Sequence, residues 1–65
     1  MKNRIRELRR QTGWRQEDLA EYTGVTRQTI NAIENEKYNP TLELAMRLAR
    51  LLHTPVEELF FLGNG

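Results

Sequence analysis

Four polar residues, Arg27, Gln28, Asn31 and Asn35, fall at i, i+1, i+4 and i+8, a spacing that gathers them on one face of a helix. The other face of the same stretch carries Ile30 and Ile33. An arginine and three primary amides offer fixed hydrogen-bond donors and acceptors with little net charge, which is the chemistry of contact with a polar surface. Bond-making chemistry has little to stand on. His53 is the single histidine and there is no cysteine, so the chain supplies neither a histidine–cysteine metal cluster nor a nucleophile–base set. No glycine-rich phosphate loop is present. The expectation is a protein that is not an enzyme and needs no cofactor and no metal.

The charge distribution points the same way. The net charge is only +1. Yet Lys2, Arg4, Arg6, Arg9, Arg10 and Arg15 stand against Glu7 alone in the opening stretch, while the remainder is mildly acidic. A basic first helix suits a polyanion partner. A solvated helix face would look the same on charge alone.

The elements that must position these residues are helical, punctuated by glycine and proline. Asn3 can cap a first helix from Arg4 to about Gln11, with Ile5 and Leu8 inward and Thr12-Gly13 ending it. A second helix spans about Gln16 to Tyr22. Glu17 and Asp18 sit at its positive end, Leu19 and Ala20 face in, and Gly24 stops it. Thr26 caps a third, from Arg27 to about Glu34, and a loop runs from Asn35 to Pro40. Thr41 caps a fourth, to about Leu52, whose apolar stripe is Leu44, Ala45, Leu48, Ala49 and Leu52. Thr54-Pro55-Val56-Glu57 reads as a capping box with proline at the first helical position, opening a short fifth helix to Leu59 or Phe61. No strand, linker or repeat is signalled.

At 65 residues the chain is expected to be one domain with a thin core, burying ~60% of its unfolded surface within a folded surface of about 4,300 Å². No apolar run approaches ~18 residues, so no membrane contact is expected, and the charged start lacks the apolar segment of a signal peptide. A cytoplasmic location is the expectation.

Residues 16–34 then acquire a geometry: a helix, a tight turn at Gly24 and a second helix. Small Ala20 permits close approach, Val25 fills the corner, and Leu19, Ile30 and Ile33 are shared core. Such a helix-turn-helix places the N-terminal residues of its second helix outward, in a DNA major groove, while the first crosses the backbone. Over residues 2–62 the chain resembles the phage-repressor and Cro-like (xenobiotic-response-element type) helix-turn-helix family of transcriptional regulators, and its minimal members most. The resemblance rests on Ile5-Arg6-Glu7-Leu8-Arg9, Gln16 to Ala20, Gly24-Val25-Thr26, Thr29 to Glu34, and Tyr38-Asn39-Pro40-Thr41-Leu42-Glu43-Leu44-Ala45. It implies an all-α fold, a compact five-helix lambda-repressor-like DNA-binding domain.

By the same resemblance Arg27, Gln28 and Asn31 are base-reading positions, and Ala32 offers an apolar contact to a thymine methyl. Arginine suits guanine O6 and N7, and glutamine or asparagine suits adenine N6 and N7. Gln16, Thr26, Thr29, Asn35, Lys37 and Tyr38 match phosphate-contacting positions, and Arg10 and Arg15 are further cations that can reach the backbone. Tyr38 could equally cover the core. Arg9 and Glu34 match an ion pair between the first helix and the end of the third, a structural role that keeps Arg9 off the DNA.

Departures from the family pattern are Arg15 where a serine or threonine cap is common, and Trp14 in place of a leucine as cover at the corner of the first two helices. Glu36 stands at a turn position often held by glycine, where its charge near phosphates would weaken binding slightly, and His53 stands where glycine often ends the fourth helix, a left-handed histidine costing roughly 1 kcal/mol. Leu59, Phe60, Phe61 and Leu62 exceed what a small core absorbs. One or two of them are expected at the surface as a dimer patch, the alternative being that Phe60 and Phe61 cover the seam between the first and fifth helices. The reading is a homodimer on a pseudo-palindromic stretch of double-stranded DNA. The competing reading is an antitoxin-like or adaptor module whose main partner is another protein.

Overall fold

The structure is a computed structural model that describes residues 1–63. Its elements in chain order are β1 (Lys2–Asn3), α1 (Ile5–Thr12), α2 (Gln16–Thr23), α3 (Arg27–Glu34), α4 (Leu42–Leu51), α5 (Val56–Leu59) and β2 (Phe60–Phe61). All five helices contribute to one apolar cluster. Ile5 comes from α1, Leu19 and Ala20 from α2, Ile30 and Ile33 from α3, the Leu44-Ala45-Leu48-Ala49 stripe from α4, and Leu59 from α5, with Leu52 and Phe60 completing it. In α3 and α4 these residues recur at i, i+3 and i+4, so there the apolar period and the packing agree.

Local chemistry sets the helix ends. The Thr26 hydroxyl accepts from the Thr29 amide at 3.2 Å, and the Thr41 hydroxyl accepts from the Leu44 amide at 3.2 Å. The α2–α3 corner turns at Gly24, whose φ of 77° is a left-handed conformation that a side chain rarely adopts. A Cβ there would meet nothing closer than Arg47 at 3.9 Å, so glycine is required by the backbone and not by crowding. Trp14 is half-buried at the α1–α2 corner and meets Tyr22 edge-on, ring centroids 5.3 Å apart.

Four details differ from the sequence expectation. First, two strands exist. β1 and β2 form an antiparallel ladder pairing Lys2 with Phe61 and Asn3 with Phe60, and the Arg4 amide donates to Leu59 O at 3.0 Å beside it. Two-residue strands are too short to carry an alternating pattern. Second, Arg4 and not Asn3 is the N-cap of α1. Asn3 Oδ1 still accepts from the Ile5 amide at 3.1 Å, while Asn3 Nδ2 donates to Ile33 O at 2.8 Å, so one amide ties the chain start to the end of α3. Third, the capping box at Thr54 does not form. His53 takes φ 53°, and the Thr54 hydroxyl turns back to donate to Leu52 O at 3.0 Å, leaving Pro55 as the N-cap of α5.

Fourth, the four-residue apolar run at the end divides. Leu59 and Phe60 are core residues and do not belong to a surface patch, whereas Phe61 and Leu62 are exposed, Leu62 by 83%. The extended backbone of β2 points successive side chains to opposite faces, which sends Phe60 in and Phe61 out. Among the described residues no helix is long and apolar enough to cross a membrane.

Candidate nucleic-acid interface

The first turn of α3 sits at the protein surface because its cap and its core residues hold it there. Thr26 closes the N-terminus through its bond to the Thr29 amide, and its hydroxyl lies 3.0 Å from that of Thr29. Ile30 and Ile33 are buried, with Ile30 wholly inaccessible, so the opposite face must turn to solvent. That face presents Arg27, Gln28 and Asn31, all exposed, together lining one shallow depression. The Arg27 and Gln28 side chains have no hydrogen-bond or ion-pair partner among the described residues. Ala32 is half-buried on the flank of this face.

The phosphate candidates fall into separate places. Thr29 and Tyr38 line one hollow with Thr23, Gly24, Val25, Thr41 and Arg47. Tyr38 is 46% exposed, so it is not simply a lid on the core. Lys37 is exposed beyond the end of α3, and its amide donates to Ala32 O at 2.9 Å. Glu36, between Asn35 and Lys37, takes φ 62°. Arg15 is exposed at the N-cap of α2, where Asp18 Oδ2 accepts from its amide at 2.9 Å. Arg10 is exposed on α1 and lines a different depression with Arg4, Arg6, Gln11 and Glu36, apart from the Arg27 face.

Behind the exposed face of α3 lies a buried carboxylate. The Glu34 side chain is inaccessible to solvent and accepts from Arg9 Nε at 2.7 Å, Arg9 Nη2 at 3.1 Å, Gln16 Nε2 at 3.1 Å and Arg6 Nε at 3.3 Å. The two-pronged Arg9 contact is the strong form of this pair, with guanidinium fork and carboxylate matched. Arg9 Nη1 also donates to Trp14 O at 3.0 Å, which ties the hub to the α1–α2 corner. Burial pushes the Glu34 carboxyl up. The bonds from Arg9 and Gln16 and the charge of Arg9, with Arg6 behind them, outweigh it and hold the carboxyl below its ordinary value. Among the described residues no buried side-chain polar atom lacks a partner.

Sequence reasoning paired Glu34 with Arg9 and missed Arg6 and Gln16 at the same carboxylate. Gln16, expected at a phosphate, has its Nε2 turned inward to Glu34. Asn35, also expected at a phosphate, accepts from Arg6 Nη2 at 2.8 Å and donates to Asn31 O at 2.9 Å and Asn31 Oδ1 at 3.2 Å. One signal was available: Arg6 precedes Arg9 by three residues, which puts both guanidinium groups on the side of α1 that faces α3.

Comparison with known proteins places this arrangement. The Helix-turn-helix family matches residues 5–59. An HTH-type transcriptional regulator of Methanothermobacter thermautotrophicus is 51% identical over 65 residues, covering 98% of this chain and 94% of that one. One from Archaeoglobus fulgidus is 48% identical over 64 residues, covering 98% and 91%. Among solved structures, the restriction-modification controller protein C.AhdI from Aeromonas hydrophila superposes with a TM-score of 0.79 at 37% identity, covering 88% of this chain and 86% of that one. The chain belongs to the helix-turn-helix family of transcriptional regulators.

Proposed function

We propose that the protein binds double-stranded DNA at a specific sequence, as a homodimer, by laying the first turns of α3 in the major groove. The observation that carries this reading is the exposed Arg27–Gln28–Asn31 face on a helix capped and backed by buried isoleucines. Arg27, Gln28 and Asn31 read base edges, with Ala32 at the side of that contact. Gln16, Thr26, Thr29, Asn35, Lys37, Tyr38, Arg10 and Arg15 are the candidates for the phosphate backbone, which gives register and affinity but no sequence. Arg9 and Glu34 hold α1 to α3. A protein with this task works in the cytoplasm beside the DNA it reads.

The dimer reading rests on an apolar groove. Met1, Leu42, Val56, Phe61 and Leu62 border it, and Leu42 is 71% exposed. A second copy closing this groove would set two α3 helices on half-sites one DNA turn apart, ~34 Å. The same groove is the basis for the alternative, an adaptor whose main partner is another protein.

Selection of bound duplexes from a random pool, followed by titration against salt, tests the reading. A regulator binds one sequence at least ~10³-fold above random DNA, and log K falls linearly with log salt. Equal binding of selected and random duplexes overturns it and favours the adaptor.

A further inference from the structure

We propose that Glu34 and Arg6 fix the direction of the Asn31 amide, and thereby make that position select adenine over guanine. The inference rests on α3 being the groove-facing helix, and goes on to name the base and the residues that decide it.

A primary amide can point either way, and its two ends are opposite in hydrogen-bonding sense. Around Asn31 the choice is made from both sides. The Glu34 carboxylate only accepts, so Gln16 turns its Nε2 toward it, at 3.1 Å. That leaves Gln16 Oε1 facing α3, where Asn31 Nδ2 donates to it at 3.5 Å, a long contact. On the other side a guanidinium only donates, so Asn35 turns its Oδ1 to Arg6 Nη2, at 2.8 Å. Asn35 Nδ2 then faces α3 and donates to Asn31 Oδ1 at 3.2 Å.

The two relays start from opposite charges, reach Asn31 from opposite sides and impose one polarity. Turning the Asn31 amide over would set oxygen against oxygen at Gln16 and N–H against N–H at Asn35.

The consequence lies in what Asn31 has left. One N–H and one oxygen lone pair remain free, a donor beside an acceptor. Adenine presents N7 as acceptor and N6–H₂ as donor, the complement of that pair. Guanine presents N7 and O6, both acceptors. An unrestrained asparagine accommodates guanine by turning its NH₂ toward the base. Held by Gln16 and Asn35, Asn31 cannot make that turn. Arg6, Gln16, Glu34 and Asn35 are thus positioning residues for a base contact made by Asn31.

The test measures binding to the selected site with each base pair substituted in turn. In the native protein one pair shows an adenine-over-guanine preference of about tenfold or more, and Asn31→Ala flattens that pair. The double variant Gln16→Met/Asn35→Ala removes both relays and leaves the Arg9–Glu34 pair in place. It is expected to cut the preference at that pair to about threefold or less, with the preferences at the pairs facing Arg27 and Gln28 retained. The single variant Arg6→Ala, at a side chain 43% exposed, releases only the Asn35 arm and gives a smaller loss at the same pair. A uniform drop in affinity does not count, since Gln16 and Asn35 are also phosphate candidates. If the double variant keeps the native preference while Asn31→Ala flattens the pair, the relay is refuted and the reading of α3 stands. If Asn31→Ala changes no pair, Asn31 reads no base and the relay falls with that assignment. Equal binding of selected and random DNA removes the functional reading itself.

Discussion

Two seams close this small bundle, and they are built from opposite materials. The α1–α3 seam is organised by one buried carboxylate with donors from Arg6, Arg9 and Gln16. The seam between the chain ends is apolar: Leu59 and Phe60 pack against the core, and the β1–β2 ladder satisfies the backbone. The polar seam has no surplus; its side chains are matched donor to acceptor and fix orientations as well as distances. The apolar seam has a surplus, since Phe61 and Leu62 remain at the surface after the core is filled. Directional contacts suit the side of the molecule that, on the proposed function, would hold base-reading side chains in place. Non-directional apolar burial suits the side that would receive a partner.

The contrast can be broken most severely at Glu34. Glu34→Ala takes the carboxylate from Arg9, which is nearly buried, and from Arg6, and is expected to cost ~3–5 kcal/mol. A domain of this size holds a total of about 3–10 kcal/mol, so the variant should melt far below the native protein. Glu34→Gln keeps the shape, loses the charge, and should cost about 1.5–3 kcal/mol. Phe60→Ala should cost a similar ~3–5 kcal/mol by opening a cavity.

Acid separates the two seams. Because the folded Glu34 carboxyl is held low, its contribution is fully present above the ordinary carboxylate range and is lost as pH falls through the lowered value. The gap in melting temperature between native protein and Glu34→Gln should therefore shrink on acidification, whereas the gap for Phe60→Ala should stay nearly constant. A Glu34→Gln gap that is the same at pH 3 and pH 7 would mean the charge is not what holds the seam.

On the reading face, Arg27→Ala should weaken discrimination at one base pair by ~1–3 kcal/mol with no change in melting temperature. Loss spread evenly over all sequences would instead make Arg27 a phosphate contact. At the apolar seam, Leu62→Glu should raise the dimer dissociation constant about tenfold or more, roughly 1.4 kcal/mol, and sedimentation of the variant would read this directly. An unchanged mass at every concentration would remove Leu62 from the interface. The smallest effects are expected at the two strained turns. Glu36→Gly and His53→Gly each relieve a left-handed side chain and should stabilise by about 0.5–1 kcal/mol.

The same division governs what could be read from sequence. Periodicity located the apolar contribution of the first four helices, though not Leu59 of α5, because burial depends on which face a residue occupies and face follows from spacing. Thr26, Thr41 and the left-handed turns at Gly24 and His53 were legible because caps and turns are local. Arg9 and Glu34 were legible as a pair through the family pattern, but the rest of the hub was not. Gln16 and Asn35 can turn either amide end outward, and only the packed geometry shows the ends committed to Glu34 and Arg6. The ladder escaped for a related reason: Lys2–Asn3 carries no pattern of its own and becomes a strand only against Phe60–Phe61. Thr54 had the right spacing for a capping box, but the reversed turn at His53 gave its hydroxyl a nearer acceptor.

That ladder is also a closure of very long range. It joins the first described strand to the last, across nearly the whole described length, and the Arg4 amide is bound to Leu59 O beside it. The α2–α3 corner, by contrast, is made of neighbours in sequence. Closing the ladder therefore costs more chain entropy than closing the corner, and by contact order alone the corner is the quicker of the two to form. α1 is thus held twice, by the seal of Leu59 and Phe60 over the chain start and by the Glu34 hub on α3.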